Sequence, residues 1–146
     1  ENMLELLAGY LAAGVELPQI RGYTMFSREF PTTTGQIYEQ VRAGVPDDVW
    51  DKPSIFRGSM HWTMGRHGMD WTRCNPKSSP TAEIKLLHYR GLGAEYVRWR
   101  HARNWARVPD HCRRMHLGTN TAPEYVGHHS VDWFLEVMSR NLPHVI

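Results

Sequence analysis

An α/β domain is the fold class that the sequence predicts, on three observations. Gln19–Phe26 (QIRGYTMF) alternates and is rich in β-formers, and Ile84, Leu86 and Leu87 open a second apolar run of strand character. Met3, Leu4, Leu7, Tyr10 and Leu11 recur at helical spacing, as do Ala94, Val97, His101, Ala102 and Trp105. Strand-like and helix-like segments interleave in a chain of 146 residues, a length that suits one domain with a real core.

Composition narrows the class. Hydrophobic residues make up 41% and charged residues 22%, the balance of a globular protein. No apolar run reaches the roughly 18 residues that a membrane-spanning helix needs. Net charge is only +2, but it is uneven: seven arginines between Arg90 and Arg114 face only Glu95 and Asp110. Cys74 and Cys112 form neither a disulfide scaffold nor a C-x-x-C pair, which points to a reducing compartment. The chain opens at Glu1-Asn2-Met3-Leu4, already in helical pattern, and is read as part of a longer protein.

Taken in order, Asn2 and Glu5 have the spacing of a capping box ahead of an amphipathic helix that runs to about Ala13 and stops at Gly14. That helix is expected to pack on the core. The strand Gln19–Phe26 runs into Ser27-Arg28-Glu29-Phe30-Pro31. Ile37, Tyr38 and Val41 then form one face of a short helix that ends at Gly44, and Val45–Lys52 is a turn-rich connection. Pro53–Phe56 and Met60–Arg66 read as two short strands, and 68–82 as a loop. In Glu83–Arg107, the apolar run meets His88-Tyr89-Arg90, is broken by Gly91 and Gly93, and continues as an arginine-rich helix from about Ala94. His101 falls on its buried face and reads as a packed histidine. A short turn near His111–Met115 and a last helix capped by Ser130, with Val131, Phe134, Leu135 and Met138 inward, complete the chain.

The chemistry-bearing residues lie at strand ends, where α/β proteins commonly build sites. His88 and Arg90 leave one strand together, and Arg66 and His67 repeat that pattern. Glu29 stands at the exit of another and is a candidate general base. The nine histidines include no H-E-x-x-H, no H-x-H and no cysteine–histidine knuckle, so this segment alone does not spell a metal site. His128 and His129 are adjacent and point apart on any regular element. There is no phosphate-cradling glycine loop and no G-x-S-x-G. The basic helix 94–107 could meet nucleic-acid phosphates or anionic lipid, but Trp99 and Trp105 lie near its apolar side and no nucleic-acid module is recognisable.

The order of these segments resembles the C-terminal, acceptor-side part of bacterial family 2 glycosyltransferase-like proteins of the GT-A fold, and more loosely the family 92 enzymes. Five segments carry the likeness: Leu17-Pro18 with Gly22–Pro31, Gly35–Val41, Asp51–Phe56, Gly65-Arg66-His67 and Lys85–Gly93. It extends over residues 1–107, with 108–146 a helical extension of the same domain. The resemblance implies a partial GT-A mixed sheet flanked by helices, its nucleotide-binding half upstream, with an uncovered sheet edge and poor solubility on its own. It implies a cytoplasmic enzyme moving a sugar from a nucleotide-sugar donor to an acceptor hydroxyl, with inversion and a divalent metal, Mn or Mg. The Asp-x-Asp motif that holds such a metal is absent here, so its acidic ligands are expected before Glu1. By the same resemblance His88, with His67 as rival, completes the metal site; Lys52, Arg66 and Arg90 face the diphosphate; Glu29 is the base, with Glu39 and Asp47 in reserve. Two other classes stay open: a non-catalytic sugar- or nucleotide-binding relative, and a basic interaction module for nucleic acid or a membrane surface through helix 94–107.

Overall fold

The structure, a computed structural model, describes residues 2–32, 34–63, 69–118, 122, 125 and 130–146. It is α/β, with a small mixed sheet of three strands and helices around it. The elements run α1 (Met3–Ala12), β1 (Ile20–Ser27), α2 (Ile37–Gln40), β2 (Ala43–Pro46), a 3-10 turn (Asp48–Trp50), β3 (Ile84–Leu92), α3 (Ala94–Ala106), α4 (Asp110–Arg114) and α5 (Val131–Met138). The strand order is β2-β1-β3. The chain forms two compact units, Glu1–Tyr23 with Pro46–His88, and Thr24–Val45 with Tyr89–Ile146.

In the first unit, α1 begins where predicted, with the Asn2 side chain accepting from the Leu4 N–H at 3.0 Å. Its apolar stripe, expected to be core, is not: α1 buries no residue, and Leu4, Leu11 and Met3 stay exposed. The period-3.6 pattern decides that a helix forms but not whether anything covers it. The core lies further on, at Val15, Leu17, Ile20, Met69 and Ile84. A hydrogen-bonded clip holds it. Buried Ser79 accepts from the Gln19 N–H at 2.8 Å and donates to the Thr81 carbonyl at 2.9 Å, while the Glu16 N–H donates to the Lys77 carbonyl at 2.8 Å. The two short strands read over 53–66 do not form among the described residues; only an isolated antiparallel bridge between Trp62 and Met69 does. Arg57 instead gives its N–H to the Glu16 carbonyl, so that stretch is irregular and tied to the clip.

The second unit is built on Phe26. Its ring lies 5.3 Å from that of Trp133 and 5.9 Å from that of Phe134, in a cluster completed by Val97 and Val137. Burying a phenylalanine this way contributes enough that Phe→Ala in such cores costs about 3–5 kcal/mol. α5, capped by Ser130 on the Trp133 N–H at 3.1 Å, packs on α3 through Phe134 and Val137. Leu135, read as inward, faces solvent. On α3, Val97 and His101 are the buried residues, as expected for the latter. β2 was not legible as a strand, because Ala-Gly-Val-Pro is a poor β sequence. Tertiary contact decides it: a Cβ at Gly44 would come within 2.9 Å of the Thr24 carbonyl oxygen. The chain's end protects this edge, with the Gly44 N–H donating to Pro143 O at 3.1 Å and the Val145 N–H to Arg42 O at 2.8 Å.

Of the two glycines expected to break β3, only Gly93 does, at φ +85°. Gly91 lies inside the strand, where an added Cβ would come 2.3 Å from Phe26 Cδ1. Its missing side chain is the seat of the Phe26 ring. Gly91→Ala should therefore overpack the core and destabilise by about 1–3 kcal/mol, read as a drop in urea midpoint at unchanged slope. A midpoint equal to that of the parent would show that Phe26 is not seated there.

Candidate functional site

In the first unit, an arrangement of polar and aromatic groups is organised by Gly22 in β1. The Gly22 N–H donates to Asp51 Oδ1 at 2.5 Å, and its carbonyl accepts from the Asp47 N–H at 3.1 Å. The 3-10 turn Asp48–Trp50 is thus fastened to the strand at both ends. It lies so close that a Cβ on Gly22 would fall 2.4 Å from the Trp50 carbonyl carbon. Seating the turn aims Trp50 at His88, and the two rings stack with centroids 3.7 Å apart and planes 24° from parallel. Lys52 Nζ lies 4.2 Å from the centroid of the same indole, in cation–π range. Two residues predicted for the site, Lys52 and His88, are therefore brought together by one tryptophan that the sequence reading passed over.

Asp51 also borders a cleft of about 690 Å³, which runs along Leu17–Arg21 and past Pro53, Met69 and the 78–82 loop. Arg21 and Asp51, of opposite charge, and exposed Trp71 are among the residues that line it. A carboxylate that accepts, a guanidinium that donates and an indole face form a set suited to a polyhydroxylated ligand. Hydroxyls pair with the charged groups, and ring C–H groups lie on the indole. None of Arg21, Asp51 and Trp71 was singled out from sequence. The available signal was a tryptophan in a loop next to breakers, which is where scaffolds carry binding groups.

Glu29 and Arg90 belong to the second unit. The Gly93 N–H donates to the Ser27 carbonyl at 2.9 Å, and Ser27 Oγ donates to the Glu29 carbonyl at 2.5 Å. A Cβ added at Gly93 would lie 3.2 Å from Arg28 O and Phe30 N, so the exit of β1 is clamped on the turn that starts α3. That clamp fixes the Glu29 backbone and leaves its side chain in solvent. Arg90 is half-buried beside Phe26 and Trp133. The reserve Glu39 is engaged in structure, accepting from the Gln36 N–H at 3.1 Å at the start of α2. Asp47 is buried as the residue that opens the 3-10 turn. Arg66 and His67, and the pair His128-His129, lie outside the described residues. Among the described residues no three His, Cys, Asp or Glu side chains are grouped to hold a metal ion, so His88 alone of the predicted ligands has a described place.

Tyr89, next to His88 in sequence, is counted in the second unit. Its hydroxyl is sealed from solvent with no hydrogen-bond partner among the described residues, and burial pushes its ionisation above the usual tyrosine value. No family model matches the chain, and neither a curated protein nor a solved structure shows significant similarity to it.

Two outcomes follow from this geometry. Gly22→Ala should lift the Asp47–Asp51 turn off the strand, costing about 1–3 kcal/mol and weakening the near-UV signal of the Trp50–His88 stack; an intact spectrum would mean the turn tolerates a Cβ. For Tyr89 the folded state holds its proton more tightly than the unfolded state does. Its contribution to stability is complete below pH 10.0, the ordinary value, and is lost as pH rises beyond it. Tyr89→Phe should be neutral or stabilising at pH 7 and should blunt the alkaline loss seen in a pH series of thermal melts.

Proposed function

We propose that this chain is the acceptor-side part of a GT-A glycosyltransferase that moves a sugar from a nucleotide-sugar donor to an acceptor hydroxyl. The observation that carries the reading is the Lys52–Trp50–His88 arrangement on Gly22. Three of the segments that carry the family resemblance, around Gly22, Asp51-Lys52 and His88, meet there within one unit. The sugar-compatible cleft of Arg21, Asp51 and Trp71 begins at the same Asp51, which lends support from an independent direction.

In this reading the acceptor oxygen forms a bond to the anomeric carbon as the bond from that carbon to the diphosphate oxygen breaks. The departing diphosphate takes the electron pair, and Glu29 takes the acceptor proton. The resemblance assigns Lys52 and Arg90 the role of positive charge for the departing group, the kind of electrostatic help that acts where charge develops. A bound Mn or Mg ion would neutralise further diphosphate charge. The described residues alone do not compose its site, and His88 would supply a single nitrogen to it.

The test is a screen of nucleotide-sugar donors on the full-length gene product, followed by variants. Glu29→Gln should lower kcat by about 100-fold or more with KM little changed. Lys52→Ala should weaken binding of the nucleoside diphosphate itself, measured by calorimetry. Turnover untouched by both Glu29→Gln and His88→Ala would sink these roles, and donor binding with no turnover in the parent protein would identify a non-catalytic relative instead.

A further inference from the structure

We propose that one flank of α3 is a docking surface for an anionic phospholipid membrane. Tyr96, Arg100, Arg103 and Arg107 follow one another at three- and four-residue spacing, with Trp99 beside them, on a flank turned away from buried Val97 and His101. The side chains on that flank are laid over one another. The Phe30 ring lies 4.8 Å from that of Tyr96, and Tyr96 lies 5.8 Å from Trp99. The Arg100 guanidinium lies 5.9 Å from the Tyr96 centroid and that of Arg103 4.9 Å from the Trp99 centroid. Phe30 is 58% exposed and Trp99 52%, so the stack reaches solvent at Phe30, Trp99 and Arg103, while Tyr96 is half-buried and Arg100 has its Nε and Nη2 sealed from solvent.

Charge points to the occupant. From Ala94 to Gly118 the acidic residues are Glu95, which pairs with Arg98 at 2.5 Å, and Asp110, which is 3.9 Å from Arg113. Arg103, Arg107 and Arg114 have no carboxylate partner among the described residues. The surface is therefore cationic and aromatic together, the combination that settles at the headgroup level of a bilayer: guanidiniums reach phosphates while ring bodies enter the interface. At its end Arg107 and Asn104 rim a shallow hollow of about 400 Å³ lined by Val108, Pro109 and Leu117. Leu117 is exposed, as is nearby Met115. Apolar groups of this kind have no use against a phosphodiester backbone. In addition, Arg103 already lies over the Trp99 ring that a base would stack on. Those two features favour lipid over nucleic acid. The inference does not depend on the glycosyl-transfer reading.

The experiment is flotation of the full chain with vesicles of phosphatidylcholine alone and of phosphatidylcholine mixed with phosphatidylglycerol, over a salt series. Binding is expected only to the anionic vesicles and should fall as salt rises. Each arginine at such a surface supports about fivefold in partitioning, so Arg103→Ala with Arg107→Ala should lose about 25-fold. Arg140→Ala, which removes the same charge elsewhere, should lose little. Acyl-brominated lipid should quench part of the tryptophan emission, and Trp99→Phe should remove that part. Circular dichroism of each variant separates lost binding from lost folding. Equal binding to neutral vesicles, no binding at all, or an equal loss with Arg140→Ala would overturn the proposal. So would release of the vesicles by a single-stranded oligonucleotide at equal charge, which would assign the surface to nucleic acid.

Discussion

The candidate site depends on a hydrogen atom where every other residue has a carbon. At Gly22 the strand backbone and the Asp47–Asp51 turn approach closely enough that the turn can be pinned twice, through Asp51 Oδ1 and through the Asp47 N–H. The Trp50 arrangement and the direction of Asp51 are downstream of that contact. The turn carries Trp50, Trp50 positions His88 and Lys52 on its ring, and Asp51 reaches the cleft wall while held by one of its oxygens. A carboxylate fixed by a backbone N–H keeps a defined direction, which an exposed aspartate on a free loop does not. The positioning comes from main-chain geometry, and it needs no large core around it.

The second unit uses the same device for packing. Gly91 vacates the space that the Phe26 ring fills, and the aromatic cluster with Trp133 and Phe134 grows from that seat. In sequence Gly91 reads as a break in its strand and Gly22 as one more residue of another, because Gly within a strand pattern signals only weakening on propensity. Their actual role is steric, and a steric role is visible only once the partner is known: Trp50 is 28 positions from Gly22, and Phe26 is 65 from Gly91. What periodicity and capping could express was legible. The starts of α1 and α5, the body of α3, the strand β1 and the burial of His101 all follow from local pattern. What depended on distant contact was not: β2 forms because it lies against β1, and within the irregular 53–63 stretch the Arg57 N–H goes to the Glu16 carbonyl while Trp62 bridges Met69.

The same division applies to function. Lys52 and His88 were chosen from sequence for what their side chains can do, and the structure shows them on one indole; Trp50 and Asp51, which make that possible, carry no motif. Arg21 and Trp71 are legible only as members of a cleft. The resemblance to glycosyltransferases supplied the order of segments, while the cleft chemistry was read independently of it, so the two can fail separately. A carbohydrate ligand in the cleft would stand even if Glu29 proved to be an ordinary exposed glutamate at the mouth of a clamped turn.

Two of the exposed apolar surfaces among the described residues do not carry the same information. α1 presents Met3, Leu4 and Leu11 without buried contact, and its neighbouring charges, Glu5 and the Tyr10–Glu83 hydrogen bond, specify no partner. Hydrophobic exposure alone says that something is missing but not what, because the driving force is non-directional and any apolar surface would satisfy it. The α3 flank differs in that the exposed Trp99 ring lies under the Arg103 guanidinium, whose charge no carboxylate meets among the described residues. Charge has sign and is screened by salt, so it selects among partners where apolar area cannot. An anionic surface that also accepts apolar side chains is the one environment that satisfies both halves of that flank at once.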